Sequence, residues 1–122
     1  MLDRPGPVRH TIAGFVGDLI ERIVKGPGRR GCFIGNCAAE LAHGDRATAT
    51  RVRRGLDRIE GLFREALARA VTRGELSRDA DIESLARFIV AGIQGLRLVG
   101  KANPDRPALE GIAAVMLRCL ER

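Results

Sequence analysis

The chain has 122 residues, long enough for one domain with a real core and too short for two. Apolar residues make up 45% and charged residues 30%, ordinary globular usage that excludes disorder. The net charge of +6 comes almost wholly from Arg mixed with Asp and Glu, with no groove-reading motif beside it, so sequence-specific DNA binding by this chain alone is not expected.

Apolar spacing, punctuated by Gly and Pro, marks five helical segments. The first runs from about Pro7 to Lys25. Val8, Ile12, Phe15, Leu19 and Ile23 recur at intervals of three and four, and Val16, Ile20 and Val24 widen the stripe, so this helix should touch neighbours over much of its circumference. Gly26 to Gly31 end it. The second, about Cys32 to His43, is short and apolar through Phe33, Ile34, Cys37, Ala38 and Leu41, and Gly44 closes it.

The third segment is the longest, roughly Asp45 to Arg73, with Asp45 placed to cap it and Gly74 standing where a C-terminal glycine belongs. Val52, Leu56, Ile59, Phe63, Ala66, Leu67 and Ala70 form one narrow stripe. Arginines with Asp57, Glu60 and Glu65 fill the other side, a solvated face with i,i+4 pairs available rather than a phosphate track.

The fourth segment, about Asp81 to Lys101, is apolar on two sides: Ile82, Leu85, Ala86, Ile89, Ile93 and Leu96 on one, Phe88, Gly92, Gly95 and Val99 on the other. In so small a domain, such a helix is either wholly central or covered by another chain. Pro104 and Pro107 bracket the start of the fifth, whose stripe is Leu109, Ile112, Ala113, Met116 and Leu120. No strand-like alternation appears. The fold class is all-α, an antiparallel bundle of about five helices.

Motifs for chemistry are weak. Gly26, Gly28 and Gly31 match G-x-G-x-x-G, but a helix precedes them where a dinucleotide site needs a strand, so no cofactor is expected. Cys37, Glu40 and His43 share a helix side without enough further ligands for a metal. Two serines, neither in a strained elbow, and no coherent Cys-His-Asn order argue against an enzyme. Three cysteines without C-x-x-C spacing, no signal peptide and no membrane-length apolar run point to the cytoplasm, with no membrane partner.

The stretch RRGCFIGNCAAEL, Arg29 to Leu41, resembles the Gly-Cys-apolar-apolar-x-Asn-x-Ala-x-Glu segment of the C-terminal domains of many TetR-family regulators. The succession also fits: a long amphipathic helix ending in ARAVTRGEL (Ala68 to Leu76), then DADIESLARFIVAGIQGLRLVGKAN (Asp79 to Asn103), then a last helix. The resemblance covers nearly the whole chain from Pro7 onward. It implies that residues 1–122 are a single effector-binding and dimerisation domain, without the helix-turn-helix domain with which such regulators begin. It also implies that Gly74, Glu75 and Leu76 mark the turn into the first of two dimer-forming helices.

The expected effector is small and mainly apolar, enclosed by the first four helices. Candidate lining residues are Phe15, Leu19, Phe33, Asn36, Cys37, Phe63, Leu67 and Phe88, each of which also reads as plain core. Asn36 stands out as a polar residue inside an apolar segment, where it could orient a ligand. A homodimer is expected through Phe88, Gly92, Gly95, Val99, Leu109, Ile112, Ala113, Met116 and Leu120 of the last two helices. The competing reading is a structural module that pairs with a full-length paralogue and binds neither ligand nor DNA itself.

Overall fold

In a computed structural model, residues 7–26 and 46–121 are described, and four helices account for most of them. They are α1 (Val8–Lys25), α2 (Arg46–Thr72), α3 (Ile82–Ala102) and α4 (Arg106–Arg118). These match the first, third, fourth and fifth expected segments to within a residue or two at most ends. The short helix expected over Cys32 to His43 lies outside the described residues, so the described bundle has four helices where about five were expected.

Each boundary has a local chemical cause. Pro7 precedes α1 with the extended backbone that proline favours. Gly26, at φ 109°, ends α1 in a conformation that side chains rarely tolerate. Gly74, at φ 78°, closes α2: the Glu75 amide donates to the Ala70 carbonyl at 2.9 Å and the Gly74 amide to that of Val71 at 3.0 Å. That pair of bonds satisfies two carbonyls the helix end would otherwise leave orphaned. Asp81 caps α3. Its carboxylate accepts from the Ser84 amide at 3.1 Å and from the Ser84 hydroxyl at 2.8 Å. Pro107 sits in the first turn of α4, where its missing amide costs nothing.

The core is aliphatic, as the scarcity of aromatic residues demands. Ile12, Val16 and Ile23 of α1, Leu67 of α2, Ile89 and Leu96 of α3 and Leu109 of α4 are its largest fully buried members. Six residues of α1 are buried, consistent with a helix in contact on several sides. Helix α2 packs chiefly on α3, while α1 lies against both α3 and α4 and meets α2 over a smaller area. Phe15 and Phe63 make the α1–α2 contact edge to face, with ring centroids 6.2 Å apart and planes at 83°.

Glycine sets the closest approach inside the bundle. A Cβ on Gly100 would stand 2.4 Å from Cγ2 of Ile23, so α1 and α3 cross where one of them has no side chain. A Cβ on Gly92 would meet the thioether end of Met116 in α4 at 2.7 Å. Gly92, expected in the dimer interface, is therefore approached by the chain's own last helix.

Candidate functional site

Two surfaces were expected to carry function. The first is the effector site expected within the first four helices, whose described candidates on α1 and α2 lie where those helices meet. Phe15 is half-buried, whereas Leu19, Phe63 and Leu67 are buried, and all four belong to or pack against one core cluster. Phe88 does not join them: it is 45% exposed on α3. Phe33, Asn36 and Cys37 lie outside the described residues.

The second surface is the outer side of α3 and α4. Phe88, Leu98 and Val99 of α3 are 45%, 68% and 42% exposed, and Ile112 and Val115 of α4 are 38% and 56% exposed. Ala91 and Ala102 of α3, and Ala108, Gly111 and Ala114 of α4, are exposed too, so the face is apolar and largely small-residued between those larger groups. Gly95 is half-buried, and a Cβ there would meet nothing within 4 Å. That open space leaves room for a close neighbour.

Several residues expected on this surface are instead covered by their own chain. Leu109, Ala113, Met116 and Leu120 are buried in the core. The physical reason is the shortness of α4: with 13 residues, its most regular apolar stripe is needed to hold the helix to α1 and α3. What α4 leaves outward is a second stripe, Ala108, Ile112, Val115 and Cys119. Leu98 and Val115, the most exposed large apolar groups of the face, were absent from the expected set. Their signal was legible, since each sits one or two places from the expected stripe at helical spacing.

Polar contacts fix the frame around these surfaces. Glu75 reaches across to the start of α1, where one carboxylate oxygen accepts from the Val8 amide at 2.6 Å and the other from Nε of Arg73 at 2.6 Å. It satisfies one of the free amides of the α1 N-terminus from 67 residues away. At the opposite end of α1, Glu21 accepts from Arg106 at the start of α4 and pairs with Lys25 at 3.3 Å. The hydrogen bond from Arg106, followed by that from Lys25, holds the Glu21 carboxyl below its ordinary range, and the same bond to Glu21 raises Arg106. The Ser84 amide and then its hydroxyl lower Asp81 in the same way. Arg64 and Arg87 pair with Glu83 and Glu60 across the α2–α3 seam.

Among the described residues there is no group of His, Cys, Asp or Glu able to hold a metal ion, and no helix long and apolar enough to cross a membrane.

The chain, whose described residues form helices in this order with α2 closed by Gly74 and an apolar outer face on α3 and α4, matches the family described as Tetracyclin repressor-like, C-terminal domain, over residues 10–116. The chain belongs to that family. It is also similar to a protein of Bacillus subtilis (strain 168) named Uncharacterized HTH-type transcriptional regulator YezE, with 28% identity over 121 residues. That alignment takes in 98% of this chain and 62% of the Bacillus protein, so the chain spans less than two thirds of its relative's length. No solved structure matches the chain.

Proposed function

We propose that the chain is the effector-binding and dimerisation domain of a transcriptional regulator of this family, working in the cytoplasm as a homodimer and not as an enzyme. The observation that carries this reading is the outer face of α3 and α4. Five large apolar side chains there are each more than a third exposed, on two neighbouring helices, around a glycine with open space above it. Burying the exposed part of each contributes roughly 1 kcal/mol. A two-fold axis lets the same patch serve both subunits, so four helices close into one bundle. Obligate interfaces of this kind bury more than about 2,000 Å² in total.

Effector binding is the second half of the proposal. Phe15, Leu19, Phe63 and Leu67 form an apolar cluster where α1 meets α2, and membership of the family supports a small, mainly apolar ligand beside it. Thermal shift against a set of small apolar and aromatic compounds tests it. A ligand of the folded state adds about 2.7 kcal/mol of stability at a hundredfold excess over Kd. Phe63→Ala should lower the response to a hit, and no response to any compound would favour the alternative. In that alternative the domain serves only to pair, including with a full-length paralogue. The burial of Leu19, Phe63 and Leu67 favours it, because a filled core needs no ligand. The name of the Bacillus relative supports a regulator in either case.

A further inference from the structure

Charge is distributed unevenly along the bundle. The ion pairs Arg64–Glu83 and Arg87–Glu60 set α2 and α3 antiparallel, which places the start of α2 beside the last turns of α3. Residues 46–58 of α2 hold five arginines against one carboxylate, Asp57. Residues 94–102 of α3 add Arg97 and Lys101 and no acid. At the other end of the same pair of helices, residues 59–93 carry acids and bases in near balance. The i,i+4 pairs expected along α2 do not form in its first half. Arg51, Arg53, Arg54 and Arg58 are exposed, and no ion pair engages them among the described residues.

Like charges crowd the start of this helix. Arg54 and Arg58 are like charges at i,i+4, and Arg51 and Arg54 at i,i+3. An anion laid along this side of α2 relieves that repulsion.

We propose that the start of α2, with the exposed Arg51, Arg54 and Arg58 along one side of the helix, is a contact surface for the phosphate backbone of duplex nucleic acid. Exposed guanidinium groups at helical spacing form a line of forks suited to successive phosphates. Beside them stand Ala47, Thr50 and Asp57, with one exposed aliphatic group, Leu62, a turn beyond Arg58 and no aromatic ring, so the stripe lacks what base stacking requires. The contact reads no sequence, and it lies apart from both the α3–α4 outer face and the Phe15–Phe63 contact.

The test is fluorescence anisotropy of a labelled random-sequence duplex of about 20 base pairs, titrated with the full chain at several salt concentrations. Arg54→Gln together with Arg58→Gln should flatten the slope of log K against log salt by about 1.8, roughly a tenfold smaller change between about 50 and 200 mM salt. Arg78→Gln together with Arg118→Gln removes two exposed arginines elsewhere and should leave the slope nearly unchanged. If the first pair disturbs the circular dichroism spectrum, Arg51→Gln with Arg53→Gln takes its place. Equal effects from both sites would overturn the proposal. So would binding to vesicles of phosphatidylcholine with about a third phosphatidylserine in the absence of binding to the duplex.

Discussion

Replacing Gly100 by Ala tests the packing account at its tightest point. The added methyl carbon would lie 2.4 Å from Cγ2 of Ile23 and 3.2 Å from Cδ1. Carbons in contact sit at about 3.5–4.0 Å, so something must move by more than about an ångström. Ile23 is 0% exposed and cannot swing into solvent, which leaves a shift of α1 against α3. Overpacking of this kind costs about 1–3 kcal/mol, and removing a helical glycine returns up to about 1 kcal/mol. The net expectation is a loss of about 1–2 kcal/mol, or a fall in Tm of roughly 4–8 °C at fixed protein concentration.

Gly17→Ala is the control, because a Cβ there meets nothing within 4 Å; it should hold or raise Tm. Ile23→Ala alone leaves a cavity and costs about 2–5 kcal/mol. The double variant should lose less than the sum, since each change relieves the other. A Gly100→Ala protein that melts at or above the wild type, or strict additivity in the double variant, would refute the crossing described here.

Three further outcomes follow from the polar contacts and the outer face. Glu75→Ala removes the acceptor of the Val8 amide and should cost roughly 1–2 kcal/mol, with faster hydrogen exchange confined first to the opening turn of α1. Glu21 and Asp81 are both held below the ordinary carboxylate range. A folded-state carboxyl below its unfolded value stabilises above the unfolded pKa and ceases to do so as pH falls through the folded one. Tm should therefore drop on acidification below the usual carboxylate range, and less so in Asp81→Asn, as a melting series from neutral to acid pH will register. Gly95→Leu fills the open space on α3 and should separate the subunits, or unfold the chain if no folded monomer is viable; gel filtration with circular dichroism tells these apart.

How far the sequence revealed this molecule differs by feature. Helices α1 to α4 were legible because Leu, Ile and Val recur at three and four, and their ends were marked by Pro7, Gly26, Gly74 and Asp81. Burial of Leu19, Phe63 and Leu67 followed from the same stripes. Partners distant in the chain were not legible: nothing near Glu75 signals Val8, and nothing near Glu21 signals Arg106.

Glycines show the limit most sharply. Gly92 and Gly95 lie on one helix side and were expected to face a second chain, yet Gly92 receives Met116 and only Gly95 has open space. Gly100, at the true point of helix crossing, carries no distinguishing pattern, because a crossing depends on the placement of α1 as well as on α3. The arginines of α2 looked pairable on spacing alone. Pairing requires rotamers and neighbours that the first half of the helix does not supply.

The central claim, that two copies of this chain meet through the outer face of α3 and α4, is tested most directly by sedimentation equilibrium of the wild type beside Val99→Arg with Ile112→Arg. These residues are exposed in the single chain, so the substitutions leave its core intact, while two buried charges in an apolar interface have no partner. The expected result is a wild-type dimer at micromolar concentration and a folded monomer for the double variant. A wild type that sediments as a monomer, or a double variant that remains as dimeric as the wild type, would contradict it.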